Sequence, residues 1–318
     1  MTDSEAVKAL IDPQLAAAMA RGEAINAGLP PPGPDPEAQR VHAARSRAWL
    51  NDGGPTPAES REDCIPGPLR DIPVMVHRPR LGGGLLPTLV YFHGGGFRIG
   101  NHKSSDRQMR EIAVAWGGVV VNADYVHMPE HVFPAPVLEA AAVYRWLARE
   151  GTRWGIDGGR LAFAGSSAGA NVAVGAAIEV GQPMFKAAIG IVGVYDRDFE
   201  TPSMRRFAGR GLYPDRDNVR ATLDQYVPDP AKRSDPRVDF LAAEPRLLPP
   251  MFLAAAELDT LRDSSAKLAA HLAAAGRPHR LKIYPGMTHL FFNYSGHVDR
   301  ARECVADIVA FLKAYLPA

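Results

Sequence analysis

Short apolar runs alternate along most of this chain with longer stretches whose apolar residues recur three and four positions apart. The runs Ile72–His77, Thr88–Phe92, Val119–Asn122, Leu161–Ala164, Ala187–Val192, Met251–Ala255 and Arg280–Tyr284 have the length and content of strands. Helical spacing falls at 105–116, 136–149, 168–180, 262–275 and 298–314. Strands that are apolar at nearly every position leave no face for water. The pattern therefore predicts an α/β fold: a mostly parallel central sheet flanked by helices on both faces.

Three segments stand outside that alternation. Residues 5–20 and 36–50 have helical spacing of alanine and leucine, and Pro30-Pro31-Pro32-Gly33-Pro34 separates them as a rigid joint. Asn51 to Pro68, rich in Gly, Pro and polar residues, reads as a linker. Asp196 to Leu248 is rich in Arg, Asp and Pro with scattered Phe199, Met204, Phe207, Leu212, Tyr213 and Tyr226. So long an interruption inside a compact domain is commonly a lid or binding element. The expected organisation is an N-terminal helical segment over 1–55 and a main domain over 56–318, with an insertion at about 196–248 that covers the mouth of the sheet together with the N-terminal helices.

Composition narrows the function classes. With 318 residues, 46% apolar and 22% charged, the chain has ordinary globular proportions, and a net charge of +1 gives no reason to expect nucleic acid or an anionic membrane as partner. No apolar stretch reaches the roughly 20 residues of a membrane span. The start Met1-Thr2-Asp3-Ser4-Glu5 is acidic where a secretory signal is basic, so the sequence reads as cytoplasmic. Cys64 and Cys304 are far apart and outside any metal-ligand spacing; they read as reduced structural thiols.

The chemistry concentrates at strand ends. Gly165-Ser166-Ser167-Ala168-Gly169 lies between a buried strand and a small-residue helix, the setting in which G-x-S-x-G becomes a sharp elbow exposing its serine. Upstream, His93-Gly94-Gly95-Gly96-Phe97 follows the strand Thr88–Phe92, and its glycines leave backbone N–H groups unobstructed, as an oxyanion cradle requires. A serine nucleophile needs a base oriented by a carboxylate, in the chain order Ser, acid, His. Of the later histidines, His271 sits mid-helix, His279 enters a strand and His297 falls where the last helix begins, whereas His289 follows the strand Arg280–Tyr284 in a loop. Asp259 closes the run from Met251 at the same edge; Asp263 reads instead as an N-cap for the next helix, and Glu257 is a weaker candidate. The letters His127-Met128-Pro129-Glu130-His131 match an inverted zinc-protease pattern, but Pro129 forbids the continuous helix that pattern needs.

These motifs resemble those of the hormone-sensitive-lipase-like branch of the α/β-hydrolases, the bacterial family IV esterases, from about Pro73 onward. His93–Phe97, Gly165–Gly169, Asp259-Thr260-Leu261-Arg262-Asp263 and Gly286-Met287-Thr288-His289 are similar to its landmarks, and Asp124-Tyr125, Pro129-Glu130-His131 and Phe133-Pro134 to its D-Y-R-L-A-P-E-H-x-F-P stretch. Ser166 stands where the family more often has Asp, and Val126-His127-Met128 where it has Arg-Leu-Ala. The resemblance implies an α/β-hydrolase fold with a helical cap and Ser167 as nucleophile, His289 as base and Asp259 as its orienter. It further implies an oxyanion hole from the amides of Gly94, Gly95 or Gly96 with that of Ala168. It brings no cofactor and no metal, and it admits a homodimer. The expected reaction is hydrolysis of small acyl esters of short to medium chain. Amide, formamide or lactone hydrolysis by the same residues, and a ligand-binding protein on the same fold, are the alternatives.

Overall fold

The computed structural model describes residues 2–181 and 183–318. Its strands are β1 (Glu59–Pro66), β2 (Asp71–Arg78), β3 (Leu86–Phe92), β4 (Val119–Ala123), β5 (Ile156–Ser166), β6 (Phe185–Ile191), β7 (Met251–Leu258) and β8 (His279–Thr288). They form one eight-stranded sheet in the order β1-β2-β4-β3-β5-β6-β7-β8. β2 pairs antiparallel with β1 and with β4, and every later pairing is parallel. All seven strand runs read from the sequence are present. β1 is an addition inside the stretch read as a linker: its Glu59, Arg61, Glu62 and Asp63 leave no apolar run, and such polarity suits an edge strand.

The helices are α1 (Asp3–Lys8), α2 (Pro13–Ala27), α3 (Pro36–Arg47), α4 (Asp106–Trp116), α5 (Ala135–Glu150), α6 (Ala168–Val180), α7 (Pro202–Phe207), α8 (Arg216–Tyr226), α9 (Arg262–Ala274) and α10 (Asp299–Tyr315). The helix expected over 5–20 is two, because Asp12 caps a new start, accepting from the amides of Gln14 and Leu15, with Pro13 at its first position. No helix among the described residues is long and apolar enough to cross a membrane.

Side-chain alternation divides the core. Leu86, Val90 and Phe92 of β3, with Val119 and Val121 of β4, point to a layer shared with α5, α6 and α9. Leu89, Tyr91 and Val120 point to the opposite layer, filled by α4 and α10. Burial on both faces is why these strands read as unbroken apolar runs. The parallel strands share one carboxyl edge, so the segments leaving β3, β5, β7 and β8 gather there. The N-terminal helices reach that edge too: Arg40 of α3 donates to the carbonyls of Arg98 and Met128 at 3.0 and 3.1 Å and pairs with Glu130. The carboxylate of Glu130 is held below its usual range by that guanidinium.

Candidate active site

Ser167 sits between β5 and α6 with φ 51° and ψ −121°, a backbone conformation costly for any residue with a side chain. Its amide donates to the Ile191 carbonyl at 2.9 Å, which holds the turn against β6. The sharpness of the elbow depends on close approach: a Cβ on Gly169 would lie 2.2 Å from the Phe92 carbonyl oxygen. The flanking glycines of the pentapeptide thus have a steric reason, and α6 begins immediately beside the end of β3.

His289 follows β8 directly and Asp259 follows β7. His289 Nδ1 lies 2.8 Å from Asp259 Oδ2, and its Nε2 lies 2.8 Å from Ser167 Oγ. Three residues distant in sequence therefore meet in one hydrogen-bonded line. His289 and Asp259 are almost fully buried, and Asp259 Oδ1 accepts from the Leu261 amide, which fixes the carboxylate plane. Glu257 is not part of this line; it accepts from the Gly286 amide at 2.8 Å and so braces the loop carrying His289. The Asp12 amide braces the same turn through the Gly286 carbonyl.

Asp263 differs from its expected role. Leu261 occupies the N-cap of α9 without a side-chain bond, and Asp263 Oδ2 instead accepts from the Ser203 amide at 2.7 Å. Ser203 lies in the first turn of α7, so this carboxylate ties the 196–248 segment to the start of α9. His271 Nε2 donates to the Ala243 carbonyl, His279 opens β8, and His297 packs on Trp49; none approaches Ser167.

The loop after β3 closes the site. A Cβ on Gly94 would lie 3.3 Å from the Ser167 Cβ, so this backbone passes directly over the serine. Gly95 takes φ 137°, with the Ile99 carbonyl oxygen 1.9 Å from where a Cβ would be, which only glycine permits. Among the described residues the amides of Gly94, Gly95, Gly96 and Ala168 donate to no backbone carbonyl. Phe97 stacks on Tyr226 at 3.8 Å, packing the end of α8 against this loop.

Two chambers meet at Ser167 and His289. One, of about 300 Å³, has mixed walls from Ala44 and Arg47 of α3, Asn101, Lys103 and Ser104, and Asn293. The other, of about 340 Å³, is walled by Phe97, Val194, Val219, Leu223 and Leu261 together with Asn218, Thr222 and Gln225. Tyr213 lines both, its ring 6.2 Å from that of His289. Its place at the site was not readable beforehand, because its segment has no periodicity to orient it. Ser166 also joins the site: its Oγ lies 2.8 Å from the Tyr91 hydroxyl, which continues to Ser105 and then Asn293.

Glu139 of α5 turns a buried carboxylate toward the loop after β4. Glu139 is fully buried; it accepts from the Val126 amide at 2.9 Å, and burial raises its pKa. His127 and His131 lie outside any helix, as Pro129 required. Burial, reinforced by His93, pushes the His127 imidazole down to about 3. An unfolded histidine titrates near 6.5, so between about pH 6.5 and 3 the unfolded chain binds a proton that the folded one refuses. Stability should fall as pH drops through that window, by at most about 1.4 kcal/mol per pH unit from this group. Urea unfolding at pH 7 and pH 5 checks this: His127→Leu should flatten the dependence, and an unchanged slope would refute it.

This sheet order, with an elbow serine at the carboxyl edge beside a histidine and an aspartate from later strand ends, defines a class. The family model described as alpha/beta hydrolase fold matches residues 89–293, and the chain belongs to that family, in its hormone-sensitive-lipase-like branch. It is similar to carboxylesterase NlhH of Mycobacterium tuberculosis, 35% identical over 262 residues, spanning 79% of this chain and 80% of that one. It is also similar to the acetyl esterase of Salmonella agona, 30% identical over 304 residues and 90% of each chain. Among solved structures, the hyperthermophilic esterase from Pyrobaculum calidifontis superposes with a TM-score of 0.84 at 32% identity, covering 90% of this chain and 95% of that one. The thermostable esterase from Pseudomonas putida ECU1011 does so with 0.84 at 30% identity, covering 94% and 96%. The protein is a carboxylic ester hydrolase.

Proposed function

We propose that this esterase works through a covalent serine mechanism on small esters of short to medium acyl chain. The observation that carries the reading is the single imidazole of His289, 2.8 Å from Ser167 Oγ on one side and 2.8 Å from Asp259 on the other. Ser167 Oγ attacks the ester carbonyl carbon while His289 Nε2 takes its proton. Negative charge develops on the carbonyl oxygen, where the amides of Ala168 and of Gly94, Gly95 or Gly96 stabilise it. Collapse breaks the bond to the alcohol oxygen, which leaves with the proton from His289. Water then attacks the acyl-enzyme with His289 again as base, releasing the acid. Asp259 holds Nδ1–H, keeping Nε2 free to accept, and stabilises the transient imidazolium.

The 1–55 and 196–248 segments serve as the cap: residues 43–51 and Tyr213 to Gln225 supply walls to the two chambers. Val219, Leu223 and Leu261 mark the 340 Å³ chamber for the acyl chain, and the chamber beside α3 is left for the alcohol. Chain-length profiles of p-nitrophenyl esters test this assignment. Val219→Trp should lower kcat/KM for octanoate about tenfold or more relative to acetate, since a bulky ring removes space that only the longer chain uses. Equal losses on both esters would refute the acyl assignment, and a wild-type optimum at long acyl chains in emulsion would refute the substrate class. Matched ester and amide substrates separate ester hydrolysis from an amidase or lactonase role for the same residues.

A further inference from the structure

The exits of β3 and β4 carry a side-chain cluster that ester hydrolysis does not use. Phe92 and Ala123 are register partners on these parallel neighbours, so the next residues, His93 and Asp124, leave the sheet side by side. His127 comes back to the same point. His93 Nε2 lies 3.4 Å from Asp124 Oδ1, and His127 Nε2 lies 3.7 Å from that same oxygen. His93 Nδ1 is 2.9 Å from the Gly94 carbonyl oxygen and donates to it, which turns Nε2 toward Asp124. His127 Nε2 has no hydrogen-bond partner among the described residues, although only 9% of the residue is exposed. Two imidazole nitrogens and one carboxylate oxygen thus gather within 4.8 Å of one another, joined only by the long 3.4 Å contact between His93 and Asp124, and a shared cation would satisfy all three.

The dimensions fit one. Tetrahedral zinc, bound at about 2.0–2.1 Å, sets its ligand atoms about 3.3 Å apart. The observed 3.4 and 3.7 Å need only slight contraction. Anchoring the far ring nitrogen on a carbonyl, as His93 does with Gly94, is how metal-bound histidines are commonly oriented. Two imidazoles and one carboxylate suit zinc-class ions rather than magnesium or calcium, which prefer all-oxygen sets.

We propose that His93, Asp124 and His127 form a second site that takes zinc or a similar borderline divalent cation, with water completing the shell. The ion would clamp the exits of β3 and β4 together at the root of the glycine loop. Arg70, 3.8 Å from the other oxygen of Asp124, opposes the ion's charge, and buried Glu139, 3.6 Å from Arg70, offsets part of that opposition. Asp124, the least buried of the three ligands, gives the path from solvent.

Cobalt(II) is the probe, because tetrahedral cobalt has strong visible absorption. Titrating the full chain at neutral pH should give visible bands that saturate at about one equivalent and disappear when zinc is added. His127→Leu and His127→Gln should each weaken cobalt binding by at least about 100-fold while keeping metal-free ester hydrolysis. Absence of saturable bands in the wild-type protein would overturn the site, a proton held between His93 and Asp124 then filling the gap. Equal binding by wild type and both variants would overturn it as well, placing the metal on other histidines such as His289.

Discussion

Ser167→Ala should lower kcat for p-nitrophenyl acetate by about 10⁶, with KM little changed. The size of the effect follows from how the residues act together. Without Oγ there is no acyl-enzyme, and His289 has no proton to move in the first step, so the residual rate comes only from binding and from amides around the carbonyl oxygen. The substitution is mild for the fold. The side chain is small, and the turn is held through the Ser167 amide on Ile191 and the close contact of Gly169 with Phe92, which alanine leaves in place. Circular dichroism and thermal unfolding should therefore match the wild type. A variant that keeps near wild-type turnover would show that another group attacks the ester.

Asp259→Asn should cost about 10⁴ in kcat. The Oδ2 facing His289 Nδ1 becomes an amide group that can present N–H toward the ring, favouring the tautomer with its proton on Nε2, and that tautomer cannot accept from Ser167. Asp263→Asn is the matched control, four residues on in the first turn of α9. Its carboxylate accepts from the Ser203 amide and pairs with Arg262, so its loss should cost no more than about 1–3 kcal/mol of stability and leave turnover within about threefold. Steady-state kinetics on both variants, read beside their thermal unfolding, separate the roles. The reverse ranking would exchange the two aspartates.

Legibility in the sequence followed the physics of each part. Strands buried on both faces, such as Thr88–Phe92 and Met251–Ala255, announced themselves as unbroken apolar runs, and the residues at their carboxyl ends could be named as site candidates. Edge strand β1 could not, because one face meets water and its charged residues look like a linker. Asp263 misled for a related reason. An aspartate at a helix start usually serves its own helix, and only the tertiary path of 196–248 brings the Ser203 amide within its reach. The break between α1 and α2 was written in Asp12-Pro13 but masked by the alanine spacing around it. The letters from His127 to His131 form no helical zinc motif, since Pro129 keeps them out of a helix. The partners that His127 does meet, His93 and Asp124, come from the ends of two neighbouring strands, a proximity no spacing rule conveys.

If His289 activates Ser167 for attack on a carbonyl, covalent labelling reads that activation without a choice of substrate. A fluorophosphonate should modify the native protein at one residue, and peptide mass mapping should place the adduct on Ser167. Ser167→Ala should take up no label, and His289→Ala should take it up at least about 10³ times more slowly. Unlabelled native protein, or an adduct on any other side chain, would contradict the claim.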